Sequence, residues 1–311
     1  MTTARAVPVT RDELEGDDAI ETLRAIDPRR LALDAVTRFR AGDGFSHSRA
    51  LAFQITLTLV PALIAIIGFA EALDQGTVRR AVEGTINALA PGAAGDFFTG
   101  ALEQGSSSAR EGRAAAALVG GVLAALLAGT SAMGQVERGA NRIYGTERDR
   151  PFLRKYANGL RLTLTAGAFS LLALVVLIGG SALREAIGPS QGLDLTLAIL
   201  RWPAGLALVL ASLAMLFRHA PRRRQPEASW LAFGAVISAV LWLAFMAILA
   251  LYIQATDSFG ATYGPLAGTI GVLLWSFLVS IGLFLGLAFA AQLEAVRAGA
   301  PEPRDERERN D

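Results

Sequence analysis

The groups in this 311-residue chain that could take part in chemistry are few, and most of them are neutral. Gln54, Thr58 and Pro61 share one face of a helix at 100° per residue. Thr269, Ser276 and Ser280 share another, which runs on to the carboxylate of Glu294. Hydroxyls and an amide of this kind can hydrogen-bond a polar headgroup weakly. They offer neither a metal site nor a strong base. Pro61 frees the carbonyl of Leu57 and is expected to kink its helix. There are no cysteines, which removes disulfides, thiolate ligands and Cys nucleophiles together. The two histidines, His47 and His219, lie far apart at the ends of apolar stretches and do not suggest a metal centre. Phosphate-loop, dinucleotide, HExxH and GxSxG patterns are absent. The expectation is no catalytic residue, no metal and no cofactor.

The elements that must position these groups are marked by where charge is missing. Ala50–Ala70, Ala114–Val136, Leu162–Leu183, Ala228–Thr256 and Ser258–Leu293 contain no Asp, Glu, Lys or Arg, and a shorter stretch, Trp202–Phe217, lies between Arg201 and Arg218. A helix needs about 20 apolar residues to cross the hydrocarbon layer. The fold class expected is therefore an all-α integral membrane protein, a six-helix transmembrane bundle. Its spans lie at about 50–72, 114–136, 161–183, 200–218, 229–254 and 266–293. In the fourth, Pro203 suits a first helical turn, and Arg201 snorkels at the interface. The polar residues before the first span lack the apolar core of a cleavable signal, so that span is expected to act as the insertion signal.

Orientation follows from basic residues near the spans. Of the 29 Lys and Arg, 23 fall before span one, between spans two and three, between spans four and five, and in the tail; only 6 fall on the opposite side. Both termini are thus expected in the cytoplasm. The net charge of +1 gives no global field for nucleic acid, and no nucleic-acid partner is expected.

The charged residues 1–27 read as a disordered cytoplasmic N-terminus, residues 28–297 as the membrane domain, and residues 298–311 as a disordered cytoplasmic tail. Within 28–41, Leu31, Ala35 and Phe39 share a face with Asp34 and Arg38 beside it. That helix either lies at the lipid interface or packs under the bundle. Residues 74–113 form a long external segment with helical periodicity, of a length that usually carries structure or a task.

Gly121, Ala125 and Gly129 in span two, and Gly282 and Gly286 in span six, recur every four residues, a spacing that lets helix backbones approach closely. The polar faces admit two readings. One is a path between spans one, two and six; the other is interhelical hydrogen bonding and close packing. No charged residue lies deep in any span, which favours packing and argues against a proton-coupled pump or ion channel.

Several stretches resemble the YihY/BrkB family of bacterial inner-membrane proteins, over roughly residues 45–297. SRALAFQITLTLVPALIAII resembles the family's Ala-rich opening and Ser/Thr-x-x-Pro element, here Thr58 to Pro61. GQVERGANRIYG carries Asn141 in the characteristic Asn place, and LFRHAP resembles the aromatic-Arg-x-x-Pro element at Phe217, Arg218 and Pro221. ATYGPLAGTIGVLLWSFLVSIGLFLG resembles the stretch with Tyr263, Gly264 and Trp275. Two departures stand out. Phe53-Gln54 replace an early Tyr pair, and the closing Gly-Ala-Glu-x-Asn-Ala becomes Ala290-Ala291-Gln292-Leu293-Glu294-Ala295. The usual Glu is thus Gln292, and Glu294 stands where Asn is expected.

The resemblance implies a six-helix inner-membrane protein linked by family name to serum resistance and envelope integrity, with some members once labelled ribonuclease BN. The residues themselves supply no acid–base or metal cluster for a nuclease, so ribonuclease is the disfavoured alternative. The expectation is a non-enzymatic envelope protein that translocates or gates a lipid or lipid-like molecule. Gln54, Thr58, Pro61, Thr269, Ser276 and Ser280 would line its path, and Tyr263-Gly264 would form a rim. The alternative is a scaffold that binds an envelope protein through 74–113. Membrane lipids are the expected partners in either case, and the sequence leaves an oligomer open.

Overall fold

A computed structural model describes residues 4–10, 14–72, 100, 114–187, 191–255 and 266–304. Among these are eight helices, in chain order α1 (Gly16–Ala25), α2 (Pro28–Ala41), α3 (Gly44–Ala72), α4 (Ala114–Ile143), α5 (Phe152–Ile187), α6 (Gln191–His219), α7 (Ala228–Ala255) and α8 (Ala267–Arg297). The expected external segment 74–113, apart from Gly100, and the Tyr263-Gly264 pair lie outside the described residues.

Five stretches are long and apolar enough to cross a membrane: Gly44–Ala65, Leu118–Ile143, Ile199–His219, Ala228–Tyr252 and Ala267–Arg297. The remaining long helix, α5, has 36 residues. At 1.5 Å per residue, the shortest long helix, 28 residues in α7, is about 42 Å, well over the roughly 30 Å hydrocarbon layer. The helices therefore run past their charge-free cores. α3 begins at Gly44, α4 continues to Ile143, and α5 begins at Phe152, each outside the span expected there. α6 begins at Gln191, so Pro203 lies inside the helix and not in its first turn. Pro61 is likewise interior to an unbroken α3.

Each long helix packs on its neighbours in the chain, and α8 returns to α3, so that α3 to α8 close a ring; α8 also reaches across it to α4. The seams are backbone-close where glycines allow. A Cβ added at Gly121 would lie 2.6 Å from Ala65 N of α3, and one at Gly129 would lie 2.9 Å from Thr163 Cγ2 of α5. The two small residues thus serve different seams. Gly286 and Gly234 face one another between α8 and α7, where a Cβ on Gly234 would sit 2.6 Å from Gly286 O.

The densest core lies at one end of the ring, around Phe39, Tyr144, Phe217, Trp230, Phe284 and Leu287. The start of α3, the end of α4, the start of α5, the end of α6, the start of α7 and the end of α8 all meet there. α2 covers this end. Asp27 caps it by accepting from Arg29 N, Pro28 occupies the first turn, and Leu31, Ala35, Arg38 and Phe39 are buried, chiefly against α8.

The expected disorder of residues 1–27 and 298–311 is corrected for the described parts of both. Ala4 N donates to Arg142 O (3.1 Å), Arg5 N to Pro303 O (3.0 Å) and Val7 N to Tyr144 O (3.1 Å). α1 docks beside α7, where Gly16 N donates to Ser229 Oγ (3.1 Å), and Arg297 of α8 pairs with its Asp18 and Glu21. Composition hid this order because a few buried residues, Ala4, Val7, Leu14 and Ala19, anchor an otherwise charged segment to distant backbone. Gly145 completes that docking. Its φ of +73° suits glycine, and a Cβ there would strike Ala6 and Ala4.

The seam geometry predicts contrasting glycine variants. Gly286→Ala should destabilise the purified protein by about 1–3 kcal/mol through overpacking. Gly167→Ala meets nothing within 4 Å, and should be neutral or stabilising by up to about 1 kcal/mol through helix propensity. Denaturant unfolding in detergent measures both. Equal effects would contradict the close α7–α8 seam.

Candidate functional site

The polar face foreseen on α3 and α8 is only partly assembled. Ser276 and Ser280 are fully buried on α8, Gln54, Thr58 and Pro61 are half-buried on α3, Trp275 is half-buried, and Thr269 is exposed. Most hydroxyls turn back onto their own helix: Thr58 Oγ1 donates to Gln54 O (2.7 Å) and Ser280 Oγ to Ser276 O (2.7 Å). The cross-helix bond is made by Thr56, a residue not singled out in the sequence, whose Oγ1 lies 3.4 Å from Ser276 Oγ. Other seams carry similar stitches. Ser212 of α6 donates to Ala166 O (2.8 Å) and lies 3.0 Å from Ser170 Oγ, both on α5, and Ser238 of α7 donates to Leu283 O of α8 (3.4 Å). Bonds like these hold helices together where water does not compete.

The remaining motif residues converge elsewhere, at the covered end of the ring. Asn141, fully buried at the end of α4, accepts at Oδ1 from Arg222 N (2.7 Å) and donates from Nδ2 to Asp149 Oδ1 (2.9 Å). One amide thus ties the α4–α5 connection to the α6–α7 connection. Arg218 forms a two-bond pair with Glu227 (2.9 and 3.1 Å), closing the α6–α7 connection on itself. Pro221 O accepts from Arg150 Nη2 (3.0 Å). Gln292 and Glu294 leave opposite sides of the last turns of α8 and are both buried.

Their partners are the residues that sequence reasoning missed. Arg223 grips Glu294 through two bonds (3.0 and 2.7 Å); the side chains are 6% and 1% exposed, and the guanidinium lies 4.7 Å over the Tyr144 ring. Arg38, fully buried, donates from Nε to Gln292 Oε1 (2.7 Å) and from Nη1 to Arg5 O (2.9 Å). No carboxylate of the described residues pairs with it directly. Burial pushes its pKa down to about 10, with Tyr144 and Glu294 pulling the other way, so it stays charged at neutral pH. Glu137, 1% exposed, takes Arg150 at 2.9 Å, and Arg150 also donates to Ala220 O (2.7 Å). Gln292 Nε2 donates to Pro301 O (2.6 Å), holding the segment after α8 in place. The only sequence signal for these partners is the basic richness of the connections, which topology alone already explains.

This arrangement is an ionic cap. It locks together the capped ends of α4, α5, α6 and α8, the α4–α5 and α6–α7 connections, α2, and the described segments before α1 and after α8. Its carboxylates are engaged by arginines, and among the described residues no group of three or more His, Asp or Glu is placed to hold a metal. Chemically the cap can hold position, since Glu137, Glu227 and Glu294 are each paired with an arginine.

Glu294→Gln should strand the Arg223 charge and cost about 3–5 kcal/mol, the usual penalty for breaking a buried pair from one side. The paired variant Arg223→Met with Glu294→Leu should recover much of that loss. Gln292→Glu would give Arg38 a carboxylate and should hold or raise the unfolding midpoint in detergent. A loss as large as that of Glu294→Gln would contradict the charge balance described here.

Residues 35–311 match the family model described as Virulence factor BrkB. The ribonuclease-like protein YfkH of Bacillus subtilis is 25% identical over 161 residues, which cover 50% of this chain and 58% of that protein. A UPF0761 membrane protein of Chromobacterium violaceum is 28% identical over 181 residues, 56% of this chain and 41% of that one. Another, from Alteromonas mediterranea, is 28% identical over 165 residues, 52% of this chain and 54% of that one. The chain spans about half the length of these curated relatives. No solved structure matches it. With the apolar helices, the cap built on Asn141, Arg218, Pro221, Gln292 and Glu294, and the family model matched from residue 35 to the end, this chain belongs to the virulence factor BrkB family and is a multi-pass membrane protein.

Proposed function

We propose that the chain is a non-enzymatic protein of the bacterial inner membrane that translocates or gates a lipid or lipid-like molecule. In this reading α3 to α8 each cross the bilayer, both termini lie in the cytoplasm with the cap, and residues 74–113 lie outside. The orientation is supported by the cap's composition: Arg38, Glu137, Arg150, Arg223 and Glu294 gather there together with most of the chain's arginines, and basic residues mark the cytoplasmic side.

The observation that carries the reading is the distribution of buried polarity. Arg38, Glu137, Lys155 and Glu294, the charged residues that are buried among the described ones, all belong to the capped end. Beyond it the buried polar residues among the described ones carry hydroxyls at the seams: Thr130, Ser212, Ser238, Ser276 and Ser280. A bare ion or a proton relay needs ionisable groups at that depth. An amphiphile does not; its tails match the apolar helix faces, and its headgroup needs only weak, exchangeable hydrogen bonds.

The name of the Bacillus relative raises a nuclease as the other reading. What weighs against it here is that Glu137, Glu227 and Glu294 each hold an arginine, which occupies carboxylate oxygens that a metal would need.

Reconstituted protein should speed the flip-flop of headgroup-labelled phospholipids or polyprenyl-linked sugars over protein-free liposomes. A Ser276→Val, Ser280→Val variant should slow it about 2–10-fold, the equivalent of one lost hydrogen bond. No acceleration across both lipid classes would sink the proposal.

A further inference from the structure

The outward face of α2 is built differently from its buried one. Arg29, Leu33, Val36 and Arg40 recur at i, i+4, i+7 and i+11, one stripe of a helix. All four are exposed, Leu33 at 60% and Val36 at 45%. Neither Arg29 nor Arg40 makes an ion pair with a described residue, whereas nearby Arg30 reaches Asp34 at 3.8 Å. The opposite face is committed to the bundle through Leu31, Ala35, Arg38 and Phe39.

The tight turn between α2 and α3 fixes the position of this stripe. Gly42 N donates to Arg38 O (2.9 Å), Asp43 turns the chain with φ 53°, and α3 starts at Gly44. Phe45 packs edge-on against Phe39 with centroids 4.9 Å apart. From Phe45 an exposed apolar face continues down α3 through Phe53, Leu57, Val60 and Ile64. The turn thus joins α2 directly to a helix whose exposed apolar face meets lipid if α3 crosses the membrane. It reads basic, apolar, apolar, basic, the order that suits a helix lying in the headgroup layer.

We infer that α2 is an in-plane foot that binds anionic phospholipid at the capped side of the membrane. Leu33 and Val36 enter the top of the acyl layer, and Arg29 and Arg40 engage phosphates on either side. The inference rests on α3 being a membrane span, as proposed above. It adds a lipid class and a binding surface that transport itself does not require. Each arginine near an anionic surface contributes on the order of a fivefold preference.

The chain has no cysteine, so single labels can be placed cleanly. Leu33→Cys and Val60→Cys would each carry an environment-sensitive fluorophore in full-length protein, reconstituted in phosphatidylcholine vesicles with or without phosphatidylglycerol. Acyl-brominated lipid serves as quencher. The expected result is quenching at both positions. At residue 33 it should deepen with phosphatidylglycerol and lose that dependence in 0.5 M salt (a concentration of order that screens within about 4 Å) or in an Arg29→Gln, Arg40→Gln background. Quenching at 60 with a water-exposed label at 33 overturns this inference alone. A label at 33 shielded from both water and lipid shows a protein or second copy on the stripe, and also overturns it. No quenching at 60 removes the spanning helix and both proposals with it.

Discussion

A charge taken out of water must meet an opposite charge or a dense set of dipoles, or it costs several kcal/mol. In this chain that constraint decides where everything else can be. The charges Arg38, Glu137, Arg150, Arg223 and Glu294 collect at one end of the ring, where they can satisfy one another. The same end gathers the core around Phe39, Tyr144, Trp230 and Phe284. Polar pairing and apolar packing thus reinforce each other at the cap, while the rest of the ring relies on glycine contacts and hydroxyl stitches.

The division has a mechanical consequence. Seams such as Gly286 against Gly234, or Ser212 to Ala166 O, hold by close approach and single hydrogen bonds. Contacts of that kind are individually worth about 1 kcal/mol or less, so helices can shift along them at small cost. The cap is joined by two-bond arginine–carboxylate pairs and by Asn141 bridging two connections. Helix movement would therefore concentrate away from the cap, with the capped ends acting as the fixed frame.

Much of this was legible in the residues. Charge-free stretches located the long helices, and the Leu31, Ala35, Phe39 face of α2 packs as its spacing indicated. Gly121 and Gly286 occupy tight seams. Asn141, Arg218, Pro221, Gln292 and Glu294, separate motif fragments in the sequence, proved to be parts of one cap. What stayed hidden is the pairing. Arg38 meets Gln292 and Arg223 meets Glu294 across 254 and 71 residues, and no local periodicity encodes such partners. The run of arginines at 222–224 satisfied a topology rule, which masked the fact that one of the three is buried against a carboxylate. The order in residues 4–10 was hidden for a related reason: it comes from backbone bonds to residues 142–144, which side-chain composition does not report.

The departure at the end of α8 becomes intelligible on this footing. The pattern that the family resemblance led us to expect has Glu at 292 and Asn at 294; here the two are Gln and Glu. Position 292 faces Arg38, with Gln292 Oε1 2.7 Å from its Nε, and position 294 faces Arg223. The exchange therefore keeps one carboxylate within the cap and moves it from one side of α8 to the other. Glutamine retains the geometry toward Arg38 without its charge, and Arg38 is left to backbone carbonyls and the more distant field of Glu294. A fixed carboxylate at 292 is thus not required to close this end of the bundle.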